Sequence, residues 1–434
     1  MVVSRDKAPT AQETFVQMAQ AAGLRGRLLL TIGLLVLVRL GIYIPLPGID
    51  RAAFAANIQG NSALSFVDLF AGGGLGTLGI FALGILPFIN ASIILQLLTA
   101  AIPALEDLQK NEGEAGRRKI SQITRYVAGG WAVVQSLMLT IGLLRPFASN
   151  PGPLFITETV LALTAGSMFV MWVGELITER GIGNGASLLI FLNIVSTLPK
   201  SLGKTFELAQ SGDRNVVGGI VILLLVFLAM VVGIVFVQEG SRRIPIISAR
   251  RQVGRRTYLE KSSYLPLRLN QGGVMPIIFA STVLTLPALV AQAFQNASIS
   301  QFISTYLGPT SWQHSVFYLV LILFFSYFYA SLVVQPDEMS KNLKKMGASI
   351  PGIRPGKATT EYIERVLNRL TFLGAIFLGI VAIVPTFVET ATRVPTFQGF
   401  GATSLLILVG VAIDTAKQIQ TYVISQRYEG MVKQ

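Results

Sequence analysis

The sequence has no cysteine and a single histidine, His314, among 434 residues. Without cysteine there can be no disulfide, no thiolate nucleophile and no cysteine-ligated metal, and one histidine cannot form a histidine cluster. Charged residues are also scarce, at 13% of the chain against about a quarter in soluble domains. Hydrophobic residues make up 52%, which is too much for one water-soluble core and indicates a membrane protein.

Constellations that carry catalysis are also missing. The sequence has no paired carboxylates, no Ser/His/Asp set and no chain of acidic and histidine residues that could relay protons. Residues 74–79 satisfy G-x-G-x-x-G, but no predicted strand precedes them, and residues 352–358 resemble a phosphate-binding loop that is one residue short and ends in alanine. We therefore predict that the chain is not an enzyme, supplies no nucleotide-driven motor and binds no cofactor or metal.

Long apolar runs organise the whole chain. A helix needs ~20 residues to cross about 30 Å of hydrocarbon, and apolar runs of this length without strict alternation predict helices. Because no cleavable signal pattern precedes the first run, we expect that run to stay as an anchor. Ten runs occur, approximately at residues 28–44, 75–98, 123–144, 154–177, 186–198, 216–237, 274–294, 316–334, 370–388 and 401–423.

The distribution of lysine and arginine predicts the orientation of the chain. Most of the 35 basic residues lie on the side that carries both termini and the long loops 238–269 and 335–369. Since basic loops remain in the cytoplasm, both termini are predicted to be cytoplasmic, and the net charge of +13 mostly reflects this bias rather than a nucleic-acid surface. The opposite side holds only Arg51, Arg145, Lys200, Lys204, Arg214 and Arg393.

An internal repeat relates the two halves of the chain. Residues 84–95 in span 2 align without gaps to residues 273–284 in span 7, and residues 183–190 match residues 399–407 with one inserted residue. Because five spans per half is an odd number, the second half must be inverted relative to the first, as in many conduits and transporters. The predicted fold is an all-α membrane protein with ten transmembrane helices in two inverted five-helix halves, residues 1–200 and 201–434.

Isoleucines at equivalent positions of the repeats predict a constriction. The repeats bring Ile89 opposite Ile278 and Ile190 opposite Ile407, and Ile85 lies one turn before Ile89 on the same helix face. Pathways in inverted-repeat proteins tend to lie where helices are short or interrupted by glycine and proline, as spans 2, 5, 7 and 10 are. These isoleucines either form an aliphatic constriction or simply pack helix against helix.

Residues 61–76 contain a half-apolar stretch, too short to span, that runs into glycines. It is either a re-entrant half-helix that fills a pore or an external surface loop. The two long cytoplasmic loops carry arginine clusters that suit phosphate or acidic protein surfaces, with anionic lipid as the alternative ligand.

Six motifs resemble the bacterial SecY family of protein-conducting channels. They are residues 84–96, 116–122, 175–185, 255–258, 342–345 and 350–356. The resemblance covers essentially the whole chain, and the motifs together are far more specific than any one of them. It implies a central pore-forming subunit that passes unfolded polypeptides across the bacterial cell (inner) membrane and releases apolar segments into membrane lipid.

The resemblance also assigns residues to the parts of such a channel. The pore ring would consist of Ile85, Ile89, Ile190, Ile278 and Ile407, with Ala186 at a sixth position where many relatives carry a larger aliphatic residue. An external plug would comprise Leu64, Phe66, Val67, Leu69, Phe70, Gly72, Gly73 and Gly74. A lateral gate between spans 2 and 7 would use Asn90, Ser92, Gln96, Asn270, Ser281, Thr282 and Thr285.

Partners follow from the same resemblance. The small membrane subunits SecE and SecG would complete the complex, and signal-sequence-bearing polypeptides would be its substrates. The SecA ATPase or a translating ribosome would dock on Arg250, Arg251, Arg255, Arg256, Arg354 and Lys357.

Two other function classes remain open at this point. A secondary transporter of small solutes would need a polar midplane site coupled to an ion gradient, and a membrane-embedded enzyme or lipid scramblase would need catalytic polar pairs. Ionisable residues inside the predicted spans are few: Arg39, Glu175 near a cytoplasmic end, and Asp414. This scarcity favours a passive conduit driven from outside.

Overall fold

The computed structural model describes residues 22–51, 53–54, 74–110, 113–210, 214–248, 252–253, 256–257, 262–294, 306, 311–392 and 402–432. Helices dominate these residues, and each of the ten predicted apolar runs overlaps one helix. Up to residue 210 the helices are α1 (Ala22–Gly41), α2 (Gly74–Thr77), α3 (Leu86–Ala101), α4 (Pro103–Lys110), α5 (Gly113–Leu139), α6 (Pro153–Arg180) and α7 (Gly185–Gln210). A π-helical turn, Thr140–Leu144, and a 3-10 turn, Arg145–Phe147, continue α5.

The later part of the chain combines long helices with short strands. The helices are α8 (Arg214–Glu239), α9 (Met275–Phe294), α10 (Trp312–Val333), α11 (Pro336–Lys345), α12 (Lys357–Thr392) and α13 (Ala402–Val432). The strands are β1 (Ser241–Ser248), β2 (Gln252–Val253), β3 (Arg256–Thr257), β4 (Ser262–Arg268) and β5 (Ala348–Ser349).

Five helical segments of the described chain are long and apolar enough to cross a membrane, judged by length and composition. They are Gly113–Phe147, Pro153–Arg180, Val217–Glu239, Trp312–Lys345 and Lys357–Pro385. Shorter apolar segments, Leu86–Ala101, Gly185–Pro199 and Met275–Leu284, correspond to spans 2, 5 and 7. The prediction of a mainly helical membrane protein is confirmed, whereas ten crossings in two inverted halves stay a prediction.

The predicted start of span 2 is wrong. The sequence places it at residue 75, but α3 begins at Leu86. Between α2 and α3 the chain forms turns in which Leu78, Phe81 and Leu83 are at most 5% exposed. Because the protein surrounds this stretch on all sides, its apolar composition reflects burial and does not distinguish turns from helix.

The two long basic loops form one cytoplasmic unit, which the sequence did not reveal. Strand β1 pairs antiparallel with β4, from Ser241 opposite Arg268 to Ile247 opposite Ser262. On its other side β1 pairs with β5 of the second loop. A small apolar core beneath the sheet is formed by Ile244, Ile246, Leu267, Leu343, Ala348, Ile350, Ile363, Val366 and Leu370.

One large apolar core joins the two parts of the chain. It contains Leu83 and Ile177 from the first part and Ile277, Phe325 and Leu406 from the second. Helix α8 instead exposes much of its apolar surface, as expected of a helix that faces lipid. Its exposed residues include Val221, Leu225, Leu228, Val232 and Phe236.

Candidate pore and gate

The predicted ring residues come together at one place in the core. The five isoleucines are between 0 and 6% exposed and belong to the same apolar cluster, against which Ala186 packs. A cavity of about 360 Å³ is lined by Ile85, Ile89, Ala186, Ile190 and Ile278. Ile407 is fully buried nearby in the cluster but does not line the cavity. Segments far apart in the sequence therefore meet as an aliphatic surface at one end of a cavity.

A buried turn positions Ile85 at the start of α3. Gly84 adopts a φ of +53°, a left-handed conformation that costs glycine little because it has no Cβ. The hydroxyl of Ser167 on α6 donates a 3.0 Å hydrogen bond to the carbonyl oxygen of Gly84. Pro87 follows in the first turn of α3, where its missing N–H leaves no helical bond unmade. The turn thus aims Ile85 at the cavity while its backbone stays satisfied.

The connection between α6 and α7 positions Ala186 and Ile190. The N–H of Gly185 donates to the Thr178 hydroxyl at 2.9 Å, and that hydroxyl donates to the carbonyl of Gly174 at 2.9 Å. A Cβ on Gly185 would lie 1.8 Å from the carbonyl oxygen of Gly174. Only glycine permits this approach, which explains the motif at residues 175–185 and fixes the start of α7 against α6.

Polar side chains of the predicted gate lie along α3 and α9. Ser92 and Gln96 line the same cavity as Ile85 and Ile89, so the four residues share one face of α3 as their spacing predicts. Gln96 donates to the Ser92 hydroxyl at 3.3 Å, within its own helix. Asn90 is buried on the same helix, at 5% exposure.

On α9, Ser281 and Thr282 are buried, and both hydroxyls donate to the carbonyl of Ile278 one turn earlier. Asn270 donates to the carbonyl of Gly273 at 2.8 Å and so braces the turn that begins α9. Thr285 lies on the same helix, but its side chain is outside the described part of the structure. Helix α9 packs against α3, α5 and the π-helical turn. These bonds run along their own elements, which leaves apolar packing as the main contact of the seam.

Charged residues line the wider part of the cavity. Arg125 on α5 donates from Nε to Oε1 of Glu175 on α6 at 2.8 Å. Ser121, Thr178, Glu179, Asn184 and Ser187 complete this polar wall. The sequence singled out Glu175 as an intramembrane acid but did not pair it with Arg125, because fifty residues separate the two. The cavity is therefore polar at one end and aliphatic at the other.

Most of the predicted plug lies outside the described residues: Leu64, Phe66, Val67, Leu69, Phe70, Gly72 and Gly73. Gly74 begins the short helix α2, whose Thr77 hydroxyl lies 3.3 Å from the carbonyl oxygens of Gly74 and Ile42. Backbone bonds from Leu46 to Leu78 and from Ile80 to Ile44 fasten the following turn to the end of α1. The segment after the predicted plug is thus firmly anchored.

The predicted docking residues are partly described. Arg354 and Lys357 are exposed at the turn between β5 and α12. The turn is held by hydrogen bonds from Ser340 to the carbonyl of Gly356 at 2.9 Å and from Thr359 to the carbonyl of Arg354 at 3.0 Å. The backbone of Arg256 is in β3, whereas Arg250, Arg251 and Arg255 lie outside the described residues. The Arg354 guanidinium is free to face a partner from a fixed backbone.

A metal centre is not found among the residues that the structure describes, where no three histidine or acidic side chains come together to hold an ion.

Comparison with known proteins identifies relatives along the whole chain. A family model described as SecY matches residues 79–416. The protein translocase subunit SecY of Synechocystis sp. is 73% identical over 441 residues, which cover 100% of both chains. The subunit of the same name from Synechococcus elongatus is 71% identical over 440 residues, again covering 100% of both chains.

Solved structures share the fold at much lower identity. One, described as the structure of a protein conducting channel, has a TM-score of 0.65 at 18% identity and covers 91% of each chain. Another, in which the plug domain of the SecY protein is said to stabilise the closed state of the translocation channel and maintain a membrane seal, has a TM-score of 0.65 at 19% identity over 91% of each chain. Sec61 in the canine ribosome-channel complex gives a TM-score of 0.62 at 18% identity over 91% of each chain.

Proposed function

The chain belongs to the SecY family, and we propose that it forms the central pore of a protein translocation channel through which unfolded polypeptides pass. Translocation is the function it shares with its full-length relatives, which are protein translocase subunits. The observation that carries the proposed pathway is the meeting of Ile85, Ile190 and Ile278 at the aliphatic end of a polar cavity. A dry ring of this kind blocks ions because water does not fill it, yet its non-directional contacts yield to a passing chain.

The proposed sequence of events divides the work between the chain and its partners. The chain itself catalyses no reaction, and an external motor or a translating ribosome drives the polypeptide. Residues 64–74 act as the plug that rests against the ring from outside, which agrees with the closed-state seal described for a SecY neighbour. The two halves, residues 1–200 and 201–434, would separate along one seam to release apolar segments into lipid.

That seam is proposed to be the contact of α3 with α9. Its polar residues bond mainly along their own helices, so few strong interactions oppose separation. Interhelical hydrogen bonds in membranes average only about 0.6 kcal/mol in any case. An apolar signal segment can replace the lost packing from the lipid side and so favour the open state.

The cytoplasmic unit is proposed to receive the driving partner. Arg354 and Lys357 are exposed on a hydrogen-bonded turn, and the arginines near residues 250–256 extend the same basic surface. Guanidinium groups bind both acidic protein surfaces and RNA phosphates in bidentate fashion, so the surface suits the SecA motor or a ribosome. The canine neighbour is a channel in a ribosome complex, which supports the second partner.

The remaining parts of the proposal concern assembly and location. SecE and SecG would cover part of the exposed apolar surface of the helices. The basic side of the chain, with both termini, would face the cytoplasm of a cell bounded by the bacterial inner membrane. The apolar spans embed the chain in that membrane.

The proposed function is tested with vesicles that contain the complete channel complex. A signal-bearing precursor and the motor ATPase are added outside, and the precursor that becomes protected from protease is measured. We expect protection that requires the signal, the motor and ATP. If instead the vesicles take up a labelled small solute without a motor and protect no precursor, the chain is a solute transporter.

A further inference from the structure

The ion pair between Arg125 and Glu175 occupies the wall of the pathway itself. Both side chains line the cavity that ends at Ile85 and Ile278, and they are 43% and 19% exposed. Ionisable groups within membrane-crossing helices are costly and, when present, usually serve a function. A pair that only fastened two helices together would have no need to border the route of the substrate.

The depth of Glu175 places its charge beside the ring. A Cβ on the preceding residue, Gly174, would lie 3.4 Å from Cδ1 of Ile85. Glu179 lies one helical turn further along α6 and also lines the cavity. Glu179 forms no ion pair with any residue that the structure describes. If Arg125 moved away from Glu175, the wall would present two carboxylates to the polypeptide in the cavity.

We propose that Arg125 is an exchangeable partner of Glu175, and that a basic side chain ahead of an entering apolar segment replaces it. Glu175 is then a specificity-determining residue that reads positive charge on the cytoplasmic flank of the substrate. This inference rests on the proposed function, because it concerns the same cavity and the same polypeptide substrate.

The exchange avoids the main electrostatic cost of such a site. An unpaired carboxylate away from bulk water is strongly unfavourable, whereas replacing one cation by another keeps Glu175 paired throughout. Arg125 is exposed enough to follow its charge into solvent when it is displaced. A lysine on the substrate therefore finds a ready acceptor, and an acidic residue at the same place meets Glu175 and Glu179 with like charge. Basic flanks are held at the cytoplasmic end of the cavity while the apolar segment occupies the seam.

The alternative role of the pair is purely structural, as a clamp between α5 and α6. The two roles differ in what an inverted pair would do. Exchanging the residues, with Arg125→Glu and Glu175→Arg together, keeps an ion pair and would restore a clamp. The same exchange places a positive charge next to the ring, where it would repel a basic flank.

The test uses vesicles with the complete channel complex and three forms of one precursor. The forms carry lysines, uncharged residues or glutamates just ahead of the apolar signal segment. The measured quantity is the ratio of protease-protected lysine form to protected glutamate form. Glu175→Gln should lower this ratio by about threefold, the size expected for a partly solvated charge pair, and the inverted pair should lower it at least as far. Glu158→Gln, an exposed acid near the other end of α6, should leave it unchanged.

Each other outcome overturns the inference. If Glu175→Gln lowers transport of all three forms equally, or if the inverted pair restores the ratio, the pair is a clamp. Glu175→Gln keeps the shape of the side chain and decides the matter by itself if the inverted pair does not assemble. If the unaltered channel protects no precursor, the proposed function falls as well; if it protects precursor but Glu175→Gln keeps the ratio, only this inference falls.

Discussion

Ser167 on α6 and Gly84, immediately before Ile85, are joined by a hydrogen bond of 3.0 Å from the serine hydroxyl to the glycine carbonyl. Both residues are buried, and Ser167 is only 3% exposed. The bond connects a long membrane helix to the turn that aims Ile85 at the cavity. The aliphatic end of the cavity therefore depends on a polar contact behind it.

Replacing Ser167 by alanine should loosen this turn. The carbonyl of Gly84 would lose its side-chain donor in a buried place, at a cost of about 1–3 kcal/mol. We expect a lower melting temperature of the purified complex and a higher ion leak through the idle channel. Thr157→Ala is the matched control, because that hydroxyl lies on the same helix but is exposed and bonds only to its own backbone. An unchanged leak in the Ser167 variant would show that the turn holds Ile85 without this bond.

Polar replacements in the ring should open the resting channel to ions. Ile89→Ser, Ile190→Ser and Ile278→Ser combined put hydroxyls where a dry aliphatic surface excludes water. Single-channel recording in planar bilayers should show a resting conductance that the unaltered channel lacks. Each change also costs roughly 2–4 kcal/mol of packing, so equal membrane insertion is verified first. Leu225→Ser, on the exposed face of α8, is the control; a tight seal in the triple variant would contradict the ring.

A link between α3 and α9 should block precursor entry. Ser92 and Met275 line the same cavity from the two helices, and the chain has no cysteine of its own. Ser92→Cys with Met275→Cys, joined by a reducible bis-maleimide reagent, should prevent protection of a signal-bearing precursor, and reduction should restore it. Each single cysteine treated in the same way serves as the control. Equal entry through linked and reduced channels would mean that this seam is not the gate.

Reversing the charge of Arg354 should uncouple the channel from its motor. A charge-assisted hydrogen bond contributes about 1.5–3 kcal/mol, so we expect motor binding to weaken by roughly tenfold to a hundredfold. Arg354→Glu should therefore lose motor-driven transport while its insertion and melting temperature stay normal, since the side chain is exposed. Arg145→Glu, exposed between α5 and α6, is the control. Normal motor affinity of the Arg354 variant would remove this residue from the docking surface.

The sequence predicted the long helices because uninterrupted apolar runs are typical of membrane-crossing helices. It also brought Ile85, Ile89, Ile190 and Ile278 together correctly, since matching positions of the two repeats lie at the same cavity. The signal failed where composition and conformation separate. Residues 78–85 are as apolar as a helix but form buried turns, so hydropathy placed span 2 too early.

Other features required the folded chain. Strand β1 carries a period-two pattern, with Ile244 and Ile246 buried and Arg243 and Pro245 exposed. The basic charges of that loop drew attention away from this pattern. The bond between Ser167 and Gly84 and the pair of Arg125 with Glu175 join distant residues, and no local spacing indicates them.

The most direct test of the central claim asks which residues a polypeptide touches while it crosses. A photoreactive amino acid is placed at Ile278 in the ring or at Leu225 on the exposed face of α8, and a precursor is arrested midway through the channel. Crosslinks from position 278 and none from position 225 are expected. Crosslinks at position 225 with none at position 278 would place the pathway outside the ring and contradict the account.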